Sequence, residues 1–143
     1  MIGFTSGQSA TFAGITNSFS YNNRLQPISM SASWPTQTVF SIGYDFHLGS
    51  ANNGNVYGIT NYKDANRSQT FTYDALNRLT SAQNSGTDCT KKTLDPNQTE
   101  YWGNNYVYDA WGNLLQKIVT KCGAENILLT AGNRNQVTTA GYS

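Results

Sequence analysis

Four acidic side chains stand out for their surroundings: Asp45, Asp74, Glu100 and Asp109. Hydrolysis of a glycoside needs two carboxyl groups roughly 5–9.5 Å apart across the scissile bond, one serving as acid and the other as nucleophile or base. Asp74 and Asp109 each follow a tyrosine, in Tyr73-Asp74 and Tyr108-Asp109, so they form the first candidate pair. Asp45 and His47 stand at i and i+2, on one face of a strand, as a candidate acid/base couple. Glu100 precedes Tyr101-Trp102, and an apolar neighbourhood can raise a carboxyl pKa. No motif marks a nucleophilic serine or cysteine, and no G-x-S-x-G elbow, P-loop or dinucleotide fingerprint occurs. A plainer role competes with catalysis. An Asp at a chain reversal accepts a hydrogen bond from a backbone N–H two residues on, and the turn alone explains it. That role is preferred for Asp74 and Asp109.

Aromatic rings offer a second chemistry. They make up 13% of the chain, with nine tyrosines and three tryptophans, enough for several flat platforms. Such a ring can stack on a sugar while Asn, Gln and Thr hydrogen-bond its hydroxyls. Tyr21, Tyr44, Tyr73 and Tyr108 fall at alternating positions of apparent strands and are read as packing across the sheet. Trp111 sits at a turn position and Trp102 lies before Gly103-Asn104-Asn105, so both are expected to be exposed. They are the preferred saccharide-binding candidates, with Trp34 as the third.

These side chains need elements to position them, and the composition points to strands. Only 12% of the residues are charged, and Asn, Ser, Thr and Gly punctuate short bursts of Tyr, Thr, Phe and Val. Three passages align: Phe71-Thr72-Tyr73-Asp74-Ala75-Leu76-Asn77-Arg78-Leu79, Tyr106-Val107-Tyr108-Asp109-Ala110-Trp111-Gly112-Asn113-Leu114, and the weaker Phe19-Ser20-Tyr21-Asn22-Asn23-Arg24-Leu25. A fourth, Ile42-Gly43-Tyr44-Asp45, keeps the Tyr-Asp pair but has its turn signal later, at Asn52-Asn53-Gly54-Asn55.

Within each good copy the aromatics alternate with Thr or Val, the Asp nucleates a turn, and Asn77 or Gly112 follows three residues later. Asn and Gly are the residue types that best tolerate a left-handed backbone. A type I turn closed by such a residue is a three-residue hairpin with a bulge. The return strands are Arg78–Ala82 and Asn113–Val119. Further strands are expected over 9–12, 28–33, 38–44, 56–62, 126–130 and 136–138, with a loop over 84–97. Leu114-Leu115 and Ile118-Val119 place apolar residues on both faces, which suggests a central strand covered on both sides.

Cys89 and Cys122 flank the hairpin around Asp109, and a hairpin brings its flanks together. In an oxidising compartment they can pair; in a reducing one they are two thiols, and the thiol reading is narrowly preferred. No metal is expected, because His47 is the only histidine and no further ligands are suitably spaced. No cofactor is implied.

A net charge of +1 with dispersed arginines argues against nucleic acid, and no apolar run reaches membrane-spanning length. Met1-Ile2-Gly3-Phe4-Thr5 lacks the basic and apolar regions of a signal peptide. A piece of a longer protein would have left its leader behind, so the compartment stays open.

The stretches Tyr73–Ala82 and Tyr108–Leu114 resemble the RHS/YD repeat, and Gly43–Val56 looks like a spacer between such repeats. The resemblance runs from about Phe19 to the C-terminus. It implies an all-β fold of antiparallel hairpin repeats forming a curled sheet, an open fragment of the hollow β-shell that large bacterial members of the family build. In toxin systems that shell encloses a C-terminal toxin, in animal teneurins it belongs to an adhesion ectodomain, and YD repeats are associated with carbohydrate binding. Proteins of the family are typically exported or displayed at the cell surface.

This chain carries two good and two degenerate repeats, too few to close a shell, and it lacks an autoproteolytic core motif and a distinct toxin domain. It is expected to be one truncated repeat domain over 1–143. Free edges of such a sheet offer unpaired N–H and C=O rows. The expected partner is therefore another copy, through sheet edges or faces, with a polysaccharide as the second candidate. The function expected is a self-associating, saccharide-binding structural module; the alternative is a glycoside hydrolase using a carboxylate pair.

Overall fold

The structure is a computed structural model in which residues 2–49, 52–92, 100–123, 126–132, 134 and 136–139 are described. Its regular elements are β1 (Ile2–Ser6), β2 (Ile15–Tyr21), β3 (Pro27–Trp34), β4 (Gln37–Asp45), β5 (Gly58–Asn61), a 3-10 turn at Ala65–Arg67, β6 (Gln69–Tyr73), β7 (Leu79–Asn84), β8 (Gly103–Tyr108), β9 (Leu114–Lys121) and β10 (Ile127–Leu128). The strands follow chain order and pair antiparallel, as the expected hairpin repeats require. The residues divide into two compact units, Met1–Gln69 and Thr70–Ser143.

Not every expected strand forms. Segment 9–12 is a turn instead: Ser9 Oγ accepts from the backbone N–H of Thr11 and Phe12, and Ser9 N donates to Phe12 O at 2.8 Å. A serine side chain that bonds its own backbone competes with a ladder. The strand lies just before it, in β1. Segment 126–130 shortens to Ile127–Leu128, and 136–138 contributes one bridge, Ala131 to Val137.

In the first unit, pairing turns period-two alternation into two unlike faces. Phe19 pairs with Ile2 and Met30, Ala32 with Phe40, Ile42 with Met30, and Tyr44 with Ile59, so one face is aliphatic and aromatic. Phe4 stacks on Phe19 there with centroids 6.1 Å apart. The other face holds Thr5, Thr16, Ser18, Ser20, Ser29, Ser31, Ser33 and Ser41, aligned across β1 to β4. Some of these hydroxyls meet across the ladder, as Ser20 and Ser29 do at 2.5 Å.

Little is deeply buried. Among the described residues the buried hydrophobic side chains are Phe46, Ala82 and Tyr101, with Asn84 as the buried polar one. Ile2, Phe4, Phe40, Tyr62 and Leu76 are exposed. Strand β9 does lie between β8 and β10, but Ile118 remains 38% exposed. At Ile118 the expected cover over both faces of β9 is therefore incomplete among the described residues. Cys89 and Cys122 are joined in a disulfide with Cα atoms 5.0 Å apart, which corrects the thiol reading. The β8–β9 hairpin brings the chain ends on either side of it within bonding distance.

Candidate functional site

Strands β6 to β9 run to and fro, so the two Tyr-Asp corners lie at one end of this unit and the β7–β8 connection lies at the other. The corners share one plan. At the first, Asp74 N donates to Arg78 O and Asn77 N to Asp74 O. Asp74 Oδ1 accepts from the N–H of Leu76 and Arg78, each at 2.9 Å. Its Oδ2 takes the Arg78 Nε at 2.6 Å. At the second, Asp109 Oδ1 accepts from Trp111 and Asn113, each at 2.9 Å, and Oδ2 accepts from the Asn113 amide at 2.7 Å. Asn77 at φ 61° and Gly112 at φ 90° occupy the left-handed position read from the sequence. The weaker copy repeats the geometry with Asn22, whose Oδ1 accepts from Arg24 and Gln26, and it places Leu25 at φ 59°.

Each corner carboxylate is thus committed to the turn, with both oxygens occupied. The backbone N–H of Arg78 holds the Asp74 carboxyl below the usual carboxylate range despite the opposing pull of burial, and the Arg78 side chain adds to it. The Asn113 amide does the same for Asp109. A glycosidase acid needs the reverse, a carboxyl held protonated near neutrality. The corners are clasped together as well: Arg78 bonds Asp74 through Nε and the Asp109 carbonyl through its NH1 at 3.0 Å. Its guanidinium lies 5.0 Å from the centre of the Tyr108 ring. The residue four past the Asp (Gln26, Arg78 or Asn113) completes every corner. Its spacing is common to all three corners in the sequence.

At the opposite end Glu100 lies in a different setting. Its side chain is 4% exposed and meets Lys91 Nζ at 3.2 Å, while Glu100 N donates to Lys91 O. Glu100 and Tyr101 together hold the Lys91 ammonium above its ordinary pKa, with Glu100 the larger influence. Tyr101 is 2% exposed, its ring set so close to Gly86 that a Cβ there would sit 2.4 Å from it. Buried Asn84 ties this end together. Its backbone N donates to Trp102 O, its Oδ1 accepts from Trp102 N at 3.0 Å, its Nδ2 donates to Glu100 O, and its carbonyl accepts from Lys121 Nζ. Asn84 and Gly86 were read only as loop residues. The side-chain and carbonyl partners of Asn84 lie 16 to 37 residues away and the ring against Gly86 is that of Tyr101, so no local signal marks them.

The tryptophans differ in exposure. Trp111 projects from its corner and is 83% exposed, Trp34 is exposed at the end of β3 with Phe12 edge-on to it, and Trp102 is half-buried. Asp45 ends β4 and His47 lies beyond it at φ 51°, so the two do not share a strand face as expected; they pair instead through a turn. His47 N donates to Asp45 Oδ1 at 2.7 Å, and the imidazole stacks on Tyr57 at 3.8 Å. His47 Nε2 lies 3.5 Å from Asp45 Oδ2, with both side chains open to solvent. Glu100 lies at the end opposite Asp74 and Asp109, so these three carboxylates form no common site. Among the described residues no cluster of three or more His, Cys, Asp or Glu could hold a metal ion.

Neither a family model nor a curated protein matches the chain. Solved structures do. The crystal structure of TcdB2-TccC3-Cdc42 matches with a TM-score of 0.66 at 23% identity over 87% of this chain. The Tc holotoxin pore of Photorhabdus luminescens matches with the same score and identity over 90% of it. TcdB2-TccC3 alone gives 0.65 at 23% over 87%. The fold is the one this stretch of those chains has, an antiparallel array of hairpins. At these identities the likeness is one of fold, and the chain spans about 7% of each of those much longer chains. Such an array accounts for the two features that recur along this sequence, the Asp-nucleated corner and the strand that returns from it.

Proposed function

We propose that the chain is a structural module, a wall segment of an RHS-type β-shell, which associates with further copies through its sheet edges or faces and binds saccharide weakly at exposed tryptophan. The observation that carries this reading is the open apolar face of β1 to β5, where Ile2, Phe4 and Phe40 remain exposed beside Phe19, Met30 and Ile42. An isolated soluble domain rarely leaves a contiguous apolar face of this kind uncovered, and covering it releases water from apolar surface. The corner carboxylates support a structural role too, since both oxygens of Asp74 and Asp109 are spent on their turns. Trp111 is the preferred saccharide platform because its ring stands clear of its own corner.

Light scattering over a concentration series tests the association: the expected mass exceeds that of one chain and rises with concentration. A strictly monomeric species at the highest concentration overturns it. Retention on polysaccharide columns, compared with Trp111→Ala and Trp34→Ala, tests the binding.

A further inference from the structure

We propose that the Cys89–Cys122 bond is a reducible latch. While it is closed, the described parts of the β7–β8 connection, 85–92 and 100–102, stay on the sheet; on reduction they leave it, while the strands and corners remain folded. This does not depend on the shell reading and would hold for an isolated chain.

Three features support it. The first is access: Cys89 is exposed and Cys122 only half-buried, so a small thiolate can reach the bond. The second is position. The bond joins the connection to the residue after β9, across 33 residues, and Cys89 lies outside the strands. The third is what remains once the bond is gone. The Lys91–Glu100 pair is open on one side, with the Lys91 side chain 45% exposed, so water competes for the ammonium. Glu100, by contrast, is a carboxylate that regains full hydration only by leaving its buried place. The contacts opposing release include Tyr101 on Gly86, the Asn84 bonds to Glu100 and Trp102, and the approach of Cys122 Sγ to Thr87 O at 3.9 Å. The corners do not depend on it, since their turn bonds close within five residues and Arg78 alone reaches from one corner to the other.

The chemistry balances with a dithiol as reductant. Its thiolate attacks one cysteine sulfur, the S–S bond breaks, and the other cysteine leaves as a thiolate that takes up a proton. The reductant's second thiol then displaces the first cysteine from the mixed disulfide. Two electrons and two protons pass to the protein, and the reductant ends as a disulfide.

Limited trypsin digestion of the intact protein, oxidised or pre-treated with dithiothreitol and read by mass spectrometry, tests the latch. Lys91 and Lys92 lie in the connection; Arg78 and Lys117 lie at a corner and within β9. Reduction is expected to speed cleavage after Lys91 or Lys92 by about tenfold or more, as local opening does when it precedes cutting. Cleavage after Arg78 and Lys117 stays unchanged, and reoxidation restores the slow rate. Equal rates at Lys91 and Lys92 in both states overturn the proposal. So does equal acceleration at all four sites, which would make the bond a staple for the whole fold. The double variant Cys89→Ser/Cys122→Ser should digest like the reduced protein without added dithiol.

Discussion

At the Asp74 and Asp109 end, each turn is shaped by bonds made within 74–78 and 109–113, and only Arg78 reaches from one corner to the next. At the other end the partners are distant: Cys89 bonds Cys122, Lys121 reaches Asn84, and Tyr101 covers Gly86. The corner is a self-contained device that can be copied along a chain, and here it recurs with Asn22 and with Leu25 in the left-handed place. The stapled end exists only once its remote parts have met. Repetition and the proposed latch thus fall to opposite ends of the same strands.

The sharpest way to break the contrast is to remove the ring that fills the stapled end. Tyr101→Ala should destabilise the second unit by roughly 3–5 kcal/mol, as loss of a buried aromatic does. Urea unfolding followed by tryptophan fluorescence measures it, and a loss below about 1 kcal/mol would show that the ring carries no core. Gly86→Ala comes next. Its Cβ would fall 2.4 Å from the Tyr101 ring, so the ring must shift, at an expected cost of about 1–3 kcal/mol. The double change Gly86→Ala/Tyr101→Ala should cost less than the sum of the two, because the clash disappears with the ring.

The gentlest probe is pH, and the two ends respond with opposite sign. The folded pKa values of Asp74 and Asp109 are lowered, so the stability they add is fully present above the unfolded carboxyl value of about 3.9. It is lost as pH falls through their folded values. Lys91 is raised, so its pairing with Glu100 is present below the ordinary lysine value of about 10.4 and is lost as pH climbs through the folded one. Asp74→Asn/Asp109→Asn should therefore flatten the acid limb of a stability–pH curve and leave the alkaline limb alone, whereas Lys91→Met should do the reverse. Thermal melts across pH read both limbs.

This division also explains what the sequence could disclose. The corners were legible because Asp, the left-handed Asn77 or Gly112 and the flanking aromatics are all written within nine residues. Most of the strands were legible from alternation. Segment 9–12 was not, because the Ser9 hydroxyl captured the backbone. The two faces of the first unit were half legible. Thr16-Asn17-Ser18 and Ser29-Met30-Ser31 alternate plainly, but only the pairing of β1 to β4 gathers their hydroxyls on one side. At the stapled end Glu100 drew notice for its aromatic neighbours, while Asn84 and Gly86 gave no sign, since their roles depend on contacts that a linear pattern does not encode. The choice between disulfide and thiols turned on the compartment, which the composition left open.

The account rests on the two ends being independent, and hydrogen exchange read by mass spectrometry on oxidised and dithiothreitol-reduced protein tests that most directly. Reduction should raise exchange at amides of 86–92 and 100–103 and leave those of Leu76, Arg78, Trp111 and Asn113 protected as before. Loss of protection at the corners in step with the β7–β8 connection would contradict it.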